Sequence, residues 1–210
     1  NVGSGPVVLL VSHLDTVPDG GMFDGALGVV AALECVRTMK ECGLQPRLPL
    51  EVMATADEEG RFGGMFGSQA LAGKITREWL ETARDESGTR LFDAMRAQGL
   101  DPERALQAKR PEGTIAAFLE LHVEQGPVLE AAGKPVGSVT GISGVFNWTV
   151  RLTGEANHSG TTPMDMRRDA LMGLADFAHA IPDLIAEHGG EASRVTIGKV
   201  AVEPNFPHTI

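Results

Sequence analysis

The sequence predicts an α/β protein with a mostly parallel sheet and flanking helices, an expectation carried by three apolar runs that each end in chemistry-bearing side chains. Residues 6–11, 50–56 and 115–123 are rich in Val, Ile, Leu and Ala and lead, respectively, to His13, to Asp57-Glu58-Glu59 and to His122. Short unbroken apolar runs of this kind read as strands buried in a parallel sheet. In open α/β sheets, ligands bind outside the carboxyl ends of the strands. The three ends are therefore expected to converge on one crevice.

Taken in order, the first run breaks at polar Ser12 and His13. From residue 24 to 42, Leu27, Val30, Ala31, Leu33 and Val36 recur at helical spacing, and Gly43 stands where a C-terminal cap belongs. The second run leads straight into the acidic triplet. In the third, alternation puts Leu119, Leu121 and Val123 on one face and Glu120, His122 and Glu124 on the other. Residues 73–113 form a charged, helix-prone excursion (79–84, 90–98, 102–109) without a readable motif. After Pro135 the pattern changes: residues 145–153 alternate as a half-buried strand, 165–187 repeat as a long helix, and 193–202 read as another strand. This β-loop-α-loop-β pattern predicts part of a second, smaller domain. The boundary is expected in the glycine-rich segment 139–144, giving domains over 1–140 and 141–210.

Composition narrows the function classes. With 210 residues and 42% hydrophobic content, a core can form. The net charge of −10 argues against nucleic-acid and anionic-membrane partners, which would be repelled. Cys35 and Cys42 lie about two turns apart on one expected helix, too far for a bridge, which fits a reducing cytoplasm. No apolar run approaches the roughly 20 residues of a membrane span, and the opening residues lack a signal-peptide pattern.

The polar strand ends admit two readings each. His13 and Asp15 alternate beyond a strand, so a carboxylate could orient an imidazole for metal binding, or the two could be a hydrogen-bonded loop pair. Asp24 stands at a helix start, as a ligand, an N-cap or both. Adjacent Glu58 and Glu59 repel unless a cation or solvent screens them; they are either a solvated acidic turn or a ligand beside a free base, as metal-assisted hydrolysis needs. His122 alone would be a satisfied core histidine. Imidazole and carboxylate ligands at successive strand ends suit zinc or a similar divalent ion.

Four strings, SHLDTVPDGGMFDGALG, ATADEEGRFGGMFGSQALAG, LELHVEQGPVLE and GEANHSGTTPMDMRRDAL, occur in an order that covers nearly the whole chain. They resemble the amidase/hydantoinase/carbamoylase branch of the zinc metallopeptidase-like amidohydrolases, which includes N-carbamoyl-L-amino-acid hydrolases, β-ureidopropionase and allantoate amidohydrolase. The resemblance implies a zinc-peptidase-like catalytic domain and a smaller α+β lid and dimerisation domain. It implies two divalent metal ions, zinc ahead of manganese, cobalt or nickel. His13, Asp24 and His122 would bind one ion, with Asp24 bridging to a second that Glu59 also holds. Asp15 would orient His13, and Glu58 would be the general base that hydrolyses a small carbamoyl or ureido amino acid. Gln125 would contact substrate, and His158 would stabilise an oxyanion, often from the other subunit of a homodimer; His158 also reads as a plain loop histidine.

Three features depart from the family pattern. The segment Glu58-Glu59-Gly60-Arg61-Phe62 is one residue shorter than is common there. His208 occupies the place where many members carry a substrate-binding asparagine. The family's last metal-ligating histidine and its substrate-carboxylate arginine have no counterpart, so the chain is expected to be a fragment truncated at both ends. Competing expectations are allantoate amidohydrolase, an aminoacylase or peptidase of the same superfamily, and a non-catalytic metal or small-molecule binding module. A nucleotide site at Gly25–Gly28 lacks the fuller glycine fingerprint.

Overall fold

The first apolar run is the middle strand of a three-stranded parallel sheet. In the computed structural model, which describes residues 5–210, β1 (Val7–His13) is flanked by β2 (Leu50–Thr55) and β3 (Ile115–Leu119) in the order β2-β1-β3. Residues 1–4, part of the opening segment judged for a leader, lie outside the described residues. The register pairs Val8 with Leu50 and runs to His13 opposite Thr55. This aligns the carboxyl ends of β1 and β2. On the other side β1 pairs with β3 from Val7–Ile115 to Leu10–Leu119, with an irregularity between Val7 and Val8.

Helix α1 (Ala26–Glu41) packs on the sheet with Gly28, Val29 and Ala32 buried, as are Leu9 and Val11 of β1. Gly43 closes it at φ 65°, the left-handed conformation in which helices commonly stop, and the Leu44 N–H reaches back to the Met39 carbonyl. The helix begins two residues after the start of its sequence pattern. Gly25 stands at the N-cap with φ 64°, and no side chain caps it. The capping role open to Asp24 is thus not taken up, and its carboxylate turns elsewhere.

The charged excursion folds as predicted in kind. Helices α3 (Arg77–Thr82) and α4 (Leu91–Ala97) and a 3-10 turn (Pro102–Gln107) follow α2 (Phe66–Leu71), a short helix without a sequence signal. Thr76 caps α3 by accepting the Trp79 N–H. Leu80, Ala83 and Leu91 form a buried nucleus against which Phe62, Phe66, Trp79 and Leu106 pack. Phe62 lies in the loop after the acidic triplet, so the excursion buttresses that loop. Arg61 extends the tie by donating to Asp85, whose carboxyl is held down to about 2 by hydrogen bonding to Ser87, with Arg61 and the Thr89 N–H adding to it.

Two compact units divide the chain, Asn1–Gly137 and Ser138–Ile210. In the second, α6 (Ala170–His188) supplies the expected long helix, capped by Asp169 accepting the Leu171 N–H. A short α5 (Val128–Ala131) closes the first unit, and a 3-10 turn (Met164–Met166) precedes α6. The two strands expected over 145–153 and 193–202 do not form. Among the described residues of this unit the only bridge pairing is an isolated one between His158 and Thr209. A strand needs a partner as well as alternation, and side chains of the alternating run such as Val145 and Trp148 remain exposed.

Candidate metal centre

His13 is the last residue of β1 and is almost fully buried, as is Asp24 at the mouth of α1. Glu59 lies in the loop after β2. His122 comes three residues beyond β3 rather than within it, because the ladder with β1 ends at Leu10–Leu119. One ligand atom from each of the four lies within 4.8 Å of all the others. The His13 and His122 Nε2 atoms are 3.0 Å apart, His13 Nε2 is 3.7 Å from Glu59 Oε1, and His122 Nε2 is 3.5 Å from Asp24 Oδ1.

The opposite edge of each imidazole determines what this edge can do. His13 Nδ1 is 2.7 Å from the Asp15 carbonyl oxygen, and His122 Nδ1 is 2.8 Å from the Val123 carbonyl oxygen. A carbonyl oxygen only accepts, so each Nδ1 carries the proton of its neutral ring and each Nε2 presents a lone pair. Two lone pairs therefore face each other across 3.0 Å. Asp24 Oδ2 is buried without a hydrogen-bond partner among the described residues. Facing acceptors and an orphaned buried carboxylate oxygen are costly alone and fit a divalent cation between them. The donor set of two imidazoles and two carboxylates suits zinc and its neighbours equally.

Asp15 serves both ligand-bearing loops. Its carbonyl orients His13, while its carboxylate Oδ2 accepts the Glu59 N–H at 2.9 Å; Oδ1 stands 3.8 Å from His13 Nδ1. The orienting oxygen is thus a backbone one, which residue identity could not show. Beside it Asp57 adopts a left-handed φ of 57°, and burial pushes its carboxyl upward, with the Asp15 charge adding and the Phe62 N–H opposing.

Glu58 lies outside the four-residue cluster. Ser68 Oγ donates to its Oε2 at 2.8 Å, and the residue lines a water-sized cavity together with Ser12, Thr55 and Glu120. Gln125, also at a left-handed φ, donates from Nε2 to Asp24 Oδ1 at 2.9 Å. Ser68 and the Gln125–Asp24 link left no sequence signal, since both depend on how distant segments approach. His158 and His208 belong to the second unit, where they come together: the Ser159 N–H donates to the His208 carbonyl and the Ile210 N–H to that of Asn157.

One packing contact holds the His122 segment in place. A Cβ on Gly28 would stand 2.7 Å from Ser12 Cβ and 2.8 Å from Ser12 Oγ and would press on the Leu121 carbonyl. Ser12 in turn donates to Glu120 at 2.9 Å. Gly28→Ala is expected to cost about 1–3 kcal/mol through overpacking and to weaken metal binding by roughly tenfold or more. A thermal melt and a metal titration on the variant check the two effects together.

Comparison with known proteins identifies the family. Residues 9–206 match the family model for peptidase family M20/M25/M40. The chain is 48% identical over 201 residues to an N-carbamoyl-L-amino acid amidohydrolase of Geobacillus stearothermophilus, covering 94% of this chain and 48% of that protein. It is 40% identical over 206 residues to the allantoate amidohydrolase of Escherichia coli K12, covering 97% and 49%. The crystal structure of a hydantoinase/carbamoylase family amidase from Burkholderia ambifaria superposes with a TM-score of 0.70 at 37% identity, over 98% of this chain and 49% of that one. The chain thus spans about half the length of the relatives it matches. Its ligand-type side chains gathered at parallel strand ends are those of a chain that belongs to peptidase family M20/M25/M40, with hydantoinase/carbamoylase amidases among its structural neighbours.

Proposed function

We propose that the protein is a metal-dependent amidohydrolase that cleaves the carbamoyl C–N bond of N-carbamoyl-L-amino acids or related ureido acids. The observation that carries this reading is the pair of facing Nε2 lone pairs, with Asp24 and Glu59 beside them. His13, Asp24 and His122 would hold one divalent ion, and Glu59 with a bridging Asp24 a second, zinc ahead of manganese, cobalt or nickel. Such ions supply Lewis acidity, polarising a carbonyl and making water easier to deprotonate.

The chain's own residues then handle protons and position. Glu58 takes a proton from the attacking water and returns it to the departing nitrogen as the C–N bond breaks. Ser68 holds one oxygen of that carboxylate. Gln125, now on Asp24, and His158 and His208 of the second unit would contact substrate. The second unit would act as lid and dimerisation surface of a homodimer, supported by exposed apolar side chains such as Val145 and Trp148. Two free, exposed cysteines support a reducing cytoplasm, and among the described residues no helix is long and apolar enough to cross a membrane.

Within the branch, allantoate is the second candidate substrate, because a relative named for it is 40% identical. A panel of N-carbamoyl amino acids, allantoate and N-acyl amino acids, run on the full-length metal-loaded protein, tests the proposal. Turnover confined to ureido substrates is the expected result. Turnover of N-acyl amino acids alone would place the protein with aminoacylases or peptidases instead.

A further inference from the structure

Arg167 is a residue of the second unit that none of the roles above uses. Its Nη2 donates to the Ser159 carbonyl at 2.5 Å and its Nε to the Thr162 carbonyl at 3.1 Å, so one guanidinium spans the loop that follows His158. Among the described residues it makes no ion pair with a carboxylate. A fixed fork of charge-assisted donors directed at two carbonyls is a rigid brace, one that a lysine's single ammonium cannot reproduce.

The braced loop closes on His158 itself. The Thr162 N–H and Oγ both donate to the His158 carbonyl, at 3.1 and 2.8 Å. The Gly160 N–H donates to His158 Nδ1 at 3.0 Å. An Nδ1 that accepts leaves the proton of the neutral ring on Nε2, so the loop presents His158 as an Nε2–H donor. Behind it the backbone is tied to residues 208–210 by the Ser159 and Ile210 N–H groups. The His158 backbone, ring orientation and tautomer all depend on a turn whose Ser159 and Thr162 carbonyls, among the described residues, take side-chain hydrogen bonds from Arg167.

We propose that Arg167 is a positioning residue that acts through His158, holding the loop 158–162 so that the Nε2–H is delivered to substrate in a fixed direction. The proposal rests on the reading of His158 as a substrate-contacting group. It assigns Arg167 no contact with substrate or metal.

A double-mutant cycle on the full-length, metal-loaded protein tests it, with kcat and KM measured on an N-carbamoyl amino acid for Arg167→Ala, His158→Ala and the double variant. Arg167→Ala is expected to lower kcat by roughly 10- to 100-fold, the scale of a small misplacement of a catalytic group, with KM and metal content nearly unchanged. Added guanidinium should restore part of the loss. In the His158→Ala background the same change should cost almost nothing, because the group it positions is gone. Arg167→Lys, which keeps the charge without the fork, carries the same cycle should the alanine variant not fold. A multiplicative loss in the double variant, or wild-type kcat in Arg167→Ala while His158→Ala is impaired, overturns the proposal. Wild-type kcat in His158→Ala removes His158 from the reaction and the proposal with it, while the metal-centre reading, tested by metal content, stands separately.

Discussion

Glu58→Gln is expected to lower turnover of N-carbamoyl amino acids by roughly 10²- to 10⁴-fold, the usual contribution of a positioned general base, while leaving metal content unchanged. The second half of that expectation is the informative one. Glu58 and Glu59 are adjacent and chemically identical, yet the structure separates them. Glu59 Oε1 stands 3.7 Å from His13 Nε2, whereas the Glu58 carboxylate takes its hydrogen bond from Ser68 and is not among the clustered ligands. Glutamine keeps the size of Glu58 and can still accept from Ser68, so a fold defect is not expected to obscure the result. Steady-state kinetics with elemental analysis of the same sample decide it. Loss of metal along with activity would show that the two glutamates have been assigned the wrong way round.

Asp24→Asn is expected to have opposite effects on the metal-loaded and metal-free protein. Asp24 is 4% exposed, and its Oδ2 finds no partner among the described residues, while Oδ1 is served by Gln125. In the metal-free protein that charge is buried with little compensation. Removing it should stabilise this form by about 1–3 kcal/mol, the cost of a buried polar group left without a partner. The metal-loaded form should lose the linkage stabilisation, about 4 kcal/mol for an ion present at a thousand times its dissociation constant. Thermal melts with metal and with chelator check both: the gap between them should be wide for the native sequence and close to nil for the variant. A variant whose gap equals that of the native sequence would remove Asp24 from the ligand set.

How far these features could be read in advance follows from the range of the interactions involved. β1 and β2 were legible because a strand buried in a parallel sheet shows as an apolar run, and α1 because its packing face repeats at helical spacing. The length of β3 was not legible. It stops at Leu119, where its pairing with β1 ends, and His122 leaves the ladder so that its ring can meet His13. Residues 145–153 show the alternation of a strand but pair with nothing within their unit, and alternation carries no information about a partner. At the site, donor types near strand ends and a helix start pointed to His13, Asp24, Glu59 and His122, four side chains that the fold brings together. The Asp15 carbonyl on His13, Ser68 on Glu58 and Gln125 on Asp24 are contacts between backbone or distant residues, and they become visible only once the chain is folded.

We propose that His13, Asp24, Glu59 and His122 hold the ions that make hydrolysis possible. The most direct test is metal per chain, by elemental analysis, on the full-length protein and on Glu59→Ala, with hydrolysis of an N-carbamoyl amino acid followed on the same samples. Two ions per native chain, a fall toward one in Glu59→Ala, and loss of turnover with it are the expected results. A native protein that binds no divalent metal, or a Glu59→Ala variant that keeps both ions and full turnover, would contradict the proposal.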